Sequence, residues 1–186
     1  MVTLRAVVLV VSLVVAGYAA GDAQVAYSFS LGGTYGKVKT LLNGGDQAAA
    51  ATSDWALEPY LNVGAHLRYS GQHEFGIVVG HSNVDSVSLW SFRPLDYKYM
   101  LFDSFLLKGF FGVARYDRET PAHGYYLGTG FEFRPVASNY GINLELAYGD
   151  KIARDRVLPS DPPQQGASPE IFYDAYLVNG FVSFYF

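Results

Sequence analysis

The stretch that decides the fold is residues 171–186, which read IFYDAYLVNGFVSFYF. Counting back in twos from Phe186, the positions hold Phe184, Val182, Gly180, Val178 and Tyr176. Only Gly180 among them is neither apolar nor aromatic. A β-strand has a side-chain period of two, so these residues share one face. The segment therefore predicts a strand with one continuous apolar face.

The same alternation recurs in seven stretches upstream. It is clearest from Trp55 to Tyr69, where odd positions are mostly apolar and even positions include His66 and Arg68. A helix would not keep this parity over such a length. The other predicted strands span 25–36, 74–83, 86–102, 105–116, 124–134 and 140–149. Pro94 interrupts the fourth strand, which predicts a β-bulge or kink there.

The connections between these strands also alternate in length. Those after strands two, four and six are short, and those after one, five and seven are longer, while the one after three is brief. Short periplasmic turns, longer external loops and an even strand number are typical of a bacterial membrane barrel. A closed barrel also pairs every backbone group without a sheet edge, as a bilayer requires. We therefore predict an all-β fold, an eight-stranded antiparallel transmembrane β-barrel.

The final strand, which stops on an aromatic residue, resembles the terminal strand of small bacterial outer-membrane β-barrel proteins. In that class the final Phe helps the barrel assembly machinery to select its substrate. The resemblance implies a monomer in the outer membrane of a Gram-negative bacterium, surrounded by phospholipid and lipopolysaccharide. The aromatic content of 16% fits the interfacial girdles of such barrels.

The N-terminus fits a secreted protein. Arg5 precedes an apolar run from Ala6 to Val15, which is shorter than the roughly 20 residues that a membrane-spanning helix needs. Small residues follow, and cleavage after Ala19 or Ala23 fits a signal peptidase site. We predict a signal peptide at 1–23 and the barrel at 24–186. No later segment approaches 18 consecutive apolar residues.

Composition excludes several classes of function. The chain contains no Cys, so neither disulfides nor thiolate metal sites are available. Its formal net charge of -4 argues against a nucleic-acid partner, which needs a concentrated basic face. We expect no cofactor and no metal site.

Strand parity predicts which charged side chains point into the barrel. The inward set is Glu58, Arg68, Asp96, Lys98, Lys108, Glu132, Arg134 and Glu145. Acids and bases balance in this set, and an eight-stranded barrel is only wide enough for side chains to fill. Charges enclosed there need partners, which favours a packed ionic plug; a proton or ion path is the alternative. His66 is expected to be a hydrogen-bonded residue of the same lumen.

Two charged clusters are predicted to lie outside the membrane. The candidate contact residues are Arg115, Tyr116, Lys151, Arg154, Asp155 and Arg156. Lys37 and Lys39 are predicted just beyond strand one, on the same side. Lys and Arg at this level would form charge-assisted contacts with lipopolysaccharide phosphates. A solvated loop with internal ion pairs is the alternative.

The architecture also resembles the lipid A 3-O-deacylase family, which has eight strands and a catalytic Ser-His pair on strand seven. The matching segment here, residues 147–150, reads AYGD and lacks both residues. His81 and Ser82 on strand three would point to opposite faces, which does not suit a nucleophile and its base. We predict a non-enzymatic surface protein, with a lipid A hydrolase and a narrow pore for small apolar solutes as alternatives. A soluble lipocalin-like barrel would require the apolar faces to point inward.

Overall fold

The computed structural model describes residues 24–43, 52–69, 71–118, 123–156 and 170–186. The predicted signal peptide at 1–23 lies outside them. The strands are β1 (Gln24–Asn43), β2 (Ala56–Tyr69), β3 (His73–Val84), β4 (Val87–Phe102), β5 (Phe105–Tyr116), β6 (His123–Phe133), β7 (Tyr140–Arg156) and β8 (Glu170–Tyr185). Each pairs antiparallel with its neighbours, and β1 pairs with β8 to close the barrel. This confirms the predicted fold class. Within the described ranges, no helix is long and apolar enough to span a bilayer.

The barrel has a turn end and a loop end. The turn end carries the connections after β2, β4 and β6, and the loop end carries the other four. Exposed aromatic side chains ring both ends. At the turn end they include Tyr69, Phe102, Phe133, Tyr140 and Phe186, and at the loop end Tyr35, Trp55, Trp90, Tyr125 and Tyr176.

Between the two circles of aromatic side chains, the barrel wall is apolar on its outer face. Leu61 and Phe131 are 45% and 40% exposed, whereas the adjacent Glu132 is fully enclosed. This is the reverse of a soluble lipocalin-like barrel, so that alternative is wrong. Such an exterior band matches the lipid-facing surface of a membrane barrel.

Strand β4 contains the bulge predicted at Pro94. Asp96 pairs with Gly76 on β3, but the next pair towards the loop end joins Arg93 to Val78, and the pairing with β5 shifts at the same place. A bulge adds one residue to a strand, so the inward parity reverses across it. Beyond the bulge the inward position falls on Arg93, which is buried. Gly112 lies opposite on β5, where a Cβ would collide with the backbone of Phe92 and Arg93.

Strands β1 and β7 continue well beyond their predicted ends. The prediction that 37–43 and 150–156 are loops is wrong, because the long β8 pairs with both of them, Glu170 lying opposite Asn43 and Arg156. We call these segments, with 170–176 of β8, the upper extension. Strand β7 bulges as it enters the extension: Lys151 has φ of 52°, and its N–H donates to Asp174 Oδ1 at 3.0 Å.

The barrel interior is divided into two layers. The layer towards the loop end is an apolar cluster that includes Val38, Val84, Leu89, Ala114, Tyr116, Ile152, Ala153, Tyr173, Ala175 and Leu177. The layer towards the turn end contains the buried charges. The apolar cluster depends on the upper extension, which supplies Val38, Ile152 and Tyr173.

Candidate functional site

The deeper part of the ionic layer is organised around Arg93. Its Nη1 donates to Glu145 Oε1 at 3.2 Å, and its Nη2 donates to the Tyr60 hydroxyl at 2.8 Å. The guanidinium lies over the Phe110 ring, 3.7 Å from the ring centroid. Lys108 Nζ donates to Glu145 Oε1 at 2.5 Å, so that two cations share one carboxylate. All of these side chains are buried, and each charge is paired as burial requires.

The shallower part lies near the turn end and contains two carboxylates. Glu74 accepts from Arg68 Nη2 at 2.7 Å and from Arg134 Nη1 at 2.9 Å. Glu132 accepts from Arg134 Nε at 2.8 Å and from Lys98 Nζ at 2.9 Å. Arg134 therefore bridges the two carboxylates, while Arg68 stands at the rim with 38% of its side chain exposed.

His66 lies between the deeper and shallower parts. Its Nε2 is 3.0 Å from Asp96 Oδ1, and Arg93 Nη1 donates to Asp96 Oδ2 at 3.4 Å. Because an ionised carboxylate can only accept, the imidazole proton belongs on Nε2. Nδ1 of His66 is buried and has no hydrogen-bond partner among the described residues.

Of the eight charged residues predicted to face the lumen, seven take part in ion pairs. Those seven are Arg68, Asp96, Lys98, Lys108, Glu132, Arg134 and Glu145. Glu58 is half-buried and makes no ion pair with the described residues. The predicted set lacked two buried charges of the lumen, Arg93 and Glu74. Strand parity could have found Glu74, because it precedes the alternating apolar positions 75, 77 and 79 and so lies on the opposite face.

The lumen is open at the turn end and filled towards the loop end. A vestibule of about 260 Å³ enters from the turn end as far as His66. Beyond His66 is a chamber of about 10 Å³, bordered by Arg93 and Phe181, which is about the room that one water molecule needs. The apolar layer follows. This arrangement agrees with a packed plug rather than a channel lining.

The predicted external contact residues have different environments. Arg115 lies at the surface, where its Nε donates to Asp117 Oδ1 at 2.7 Å. The prediction for Tyr116 needs correction: this side chain is fully buried, and its hydroxyl donates to the Val84 carbonyl at 2.9 Å. The inward parity of β5 places it in the apolar layer. Lys151 is exposed at the β7 bulge. Arg154, Asp155 and Arg156 belong to β7 rather than to a loop, paired with Phe172, Ile171 and Glu170.

Three lysines lie on the outer wall at the loop end and form what we call the lysine patch, namely Lys37, Lys39 and Lys151. Lys37 Nζ is 5.2 Å from the Trp55 ring centroid and 5.8 Å from that of Tyr176. Lys39 lies opposite Asp174 across the β1–β8 pair, and Lys151 Nζ is 5.4 Å from the centroid of the Phe172 ring. Lys37 and Lys39 belong to β1 and not to a loop beyond it.

The position that matches the deacylase catalytic pair holds no nucleophile and base. The Tyr148 hydroxyl donates to Asp174 Oδ2 at 3.0 Å. On β3, His81 contacts Trp90 on the outer face while Ser82 is buried, so the two point apart. No group of three His, Cys, Asp or Glu side chains in the described part of the chain is arranged to hold a metal.

Comparison with known proteins identifies the fold. No known sequence family and no curated protein matches the chain. Among solved structures, it is similar to the outer-membrane protein OprG from Pseudomonas aeruginosa, with 13% identity and a TM-score of 0.52, covering 89% of this chain and 98% of that one. It is also similar to Neisserial surface protein A, with 14% identity and a TM-score of 0.50, covering 89% and 99%. These similarities show the fold, and the apolar exterior band supports a location in a membrane.

Proposed function

We propose that this chain is a non-enzymatic, non-conducting barrel of the Gram-negative outer membrane whose lysine patch binds lipopolysaccharide phosphates. The observation that carries the proposal is the position of the three lysines on the outer wall, beside the circle of exposed aromatic side chains at the loop end. Aromatic girdles mark the two membrane interfaces of such barrels. Ammonium groups at this height therefore lie at the level of lipid head groups.

The surroundings of the lysine patch suit a phosphate ligand. Lysine binds phosphate as a compact charge, and its stem can lie along apolar surface while the ammonium stays at the interface. Two described carboxylates lie near the patch, Asp174 and Asp150. Asp174 is buried and already accepts from the Tyr148 hydroxyl and the Lys151 N–H. Among the described residues, no carboxylate forms an ion pair with the three ammonium groups, which leaves them for an external anion.

The two-layer interior supports the non-conducting part of the proposal. A polar solute that passed the ionic layer would next meet the apolar cluster, whose members Ala153, Ala175 and Tyr116 are fully enclosed. In the proposed orientation the turn end faces the periplasm, as the short turns favour. Recognition by the barrel assembly machinery through β8 and a monomeric state belong to the same proposal.

The lysine patch can be tested with the refolded mature protein in detergent. We expect K37Q/K39Q/K151Q to bind purified lipopolysaccharide at least about tenfold more weakly than the wild type, since charged hydrogen bonds are lost. The matched control, K37R/K39R/K151R, keeps the charge and should keep the affinity. The affinity of the wild type for dephosphorylated lipopolysaccharide should be no higher than the affinity of the glutamine variant for the same ligand. Unchanged binding by the glutamine variant would contradict the proposal and would mean that other residues, such as the exposed Arg115, hold the lipopolysaccharide.

Two further measurements address the alternatives. Mass spectrometry of lipid A after incubation with the folded protein should find every acyl chain intact, and loss of one would overturn the non-enzymatic assignment. Recordings in planar bilayers should show no steady conductance. A reproducible open level would show that solutes cross the apolar layer.

A further inference from the structure

The lysine patch has a carboxylate between its lysines. Asp174 lies opposite Lys39 across the β1–β8 pair, and on the other side its Oδ1 accepts from the backbone N–H of Lys151 at 3.0 Å. The neighbouring Tyr173 and Ala175 belong to the apolar layer inside the barrel, so Asp174 points to the outer face. It is nevertheless only 5% exposed. A negative charge is therefore built into the outer wall, with lysines on both sides of it.

The carboxylate of Asp174 is held in place by both of its oxygens. While Oδ1 binds the Lys151 N–H, Oδ2 accepts from the Tyr148 hydroxyl at 3.0 Å. The Tyr148 ring is itself packed against that of Tyr176, with the centroids 5.1 Å apart. The carboxylate is tied to the backbone of β7 and to a packed ring, so it keeps its place when an anion approaches.

Two ammonium groups of the patch lie on opposite sides of Asp174 along β8. Lys37 Nζ is 5.8 Å from the ring centroid of Tyr176, two residues after Asp174. Lys151 Nζ is 5.4 Å from the ring centroid of Phe172, two residues before it. Four residues of a strand span about 13 Å. The two ammonium groups therefore mark two separate positions on the wall.

A phosphate is disfavoured at the position between them. Directly over Asp174 it would meet a charge of its own sign, and such repulsion is strong at contact distance near a protein surface. Asp150 adds to this effect, because its Oδ1 is 3.4 Å from the same Tyr148 hydroxyl. At either end of the patch a phosphate meets an ammonium group and lies farther from the carboxylates. The charge pattern therefore suits two anions held apart.

We propose that the lysine patch is a two-phosphate site, in which the β1 lysines Lys37 and Lys39 hold one phosphate, Lys151 holds the other, and Asp174 keeps them apart. This inference rests on the proposed function and narrows its ligand. The ligand is a lipid A with a phosphate at each end of its sugar backbone. A lipid A with one phosphate engages one end of the patch at a time.

The test compares diphosphoryl and monophosphoryl lipid A as ligands of the refolded mature protein in detergent. We expect the wild type to bind the diphosphoryl form at least about tenfold more tightly, because the second phosphate binds when the first is already held. K151Q and K37Q/K39Q each keep one end of the patch, so each should bind the two lipids equally. A wild type that showed no preference, or a K151Q variant that kept it, would overturn the inference.

This result is separate from a failure of the proposed function. If K37Q/K39Q/K151Q bound diphosphoryl lipid A as tightly as the wild type, the lysine patch would not be the binding site at all. If that variant bound weakly but the wild type did not distinguish the two lipids, only the two-phosphate inference would fail.

D174N tests the role of the central charge. The amide keeps an oxygen for the Lys151 N–H and offers an N–H to the Tyr148 oxygen, so the charge is removed and the hydrogen bonds remain. We expect D174N to bind monophosphoryl lipid A at least about threefold more tightly than the wild type, because a nearby like charge is lost. Its affinity for the diphosphoryl form should not fall.

The matched control is D117N, which removes an exposed carboxylate at the same end of the barrel and should change neither affinity. A purely structural role for Asp174 would instead weaken the binding of both lipids to D174N. That outcome, or an unchanged preference for the diphosphoryl form, would contradict the assignment of Asp174 as the residue that separates the phosphates.

Discussion

Replacement of Arg93 by Met should destabilise the barrel more than the loss of any surface charge. Arg93 is 1% exposed and pairs with both Asp96 and Glu145, at 3.4 and 3.1 Å. Removing one partner of a buried ion pair typically costs about 3–5 kcal/mol, because the other charge stays buried without compensation. In R93M, Lys108 is the one cationic partner that Glu145 keeps among the described residues, and His66 is the one partner that Asp96 keeps there.

The double variant R93M/E145Q supplies the quantitative check. It removes one charge of each sign and leaves Lys108 and Asp96 to balance the deeper part of the layer. We expect its loss of unfolding free energy to be smaller than the sum of the two single losses by about 1–3 kcal/mol, as for groups in direct contact. Additive losses would mean that Arg93 and Glu145 do not interact as described.

The assay is urea unfolding in lipid vesicles, followed by the fluorescence of Trp55 and Trp90 and by the gel mobility of unheated samples. R115M is the control, since the Arg115–Asp117 pair is at the surface and such pairs contribute about 0–1 kcal/mol. If R93M lost no more stability than R115M, the inward position of Arg93 and the β4 bulge that creates it would both be refuted.

Two further predictions concern the bulges. G112A should prevent recovery of the fast-migrating folded band, because a Cβ there collides with the backbone of Phe92 and Arg93. G109A, where a Cβ meets nothing within 4 Å, should fold normally, and equal folding of the two variants would argue against the close approach at the β4 bulge. D174A removes the acceptor for the Tyr148 hydroxyl and the Lys151 N–H and should cost about 1–3 kcal/mol locally. Limited proteolysis should then cleave the upper extension faster while the urea midpoint changes little; protection equal to the wild type would contradict that role.

The barrel could be predicted from the sequence because the strand period acts on nearly every residue. Alternating apolar positions fix both the strand and the face that it presents. The same reasoning placed Lys108 inside, although β5 is apolar on both faces, and the structure finds it buried against Glu145. Where the alternation of side chains is unbroken, one polar residue is enough to show which face of a strand points into the barrel.

The alternation of apolar and polar residues did not predict the inward-facing side chains where a bulge changes the parity within a strand. Pro94 showed that β4 would bulge, but the alternation did not show where the inward position would fall beyond it. The missed residue, Arg93, proved to be the centre of the ionic layer. The upper extension was missed for a different reason. Its segment of β7 contains the polar run DKIARDR at 150–156, and only pairing with β8 makes it a strand. That information is non-local and is not carried by the segment itself.

The asymmetry of the interior follows from two independent features of the chain. The upper extension brings Val38, Ile152 and Tyr173 over the loop end, which closes the lumen with apolar side chains where a solute would have to leave. The charged side chains are confined to the turn end, because transferring an unpaired charge into the apolar layer is costly. Polar chemistry in the lumen is therefore restricted to the side that opens at Arg68. A barrel built this way can present one surface to lipid head groups and a separate polar recess to the opposite compartment, without joining the two.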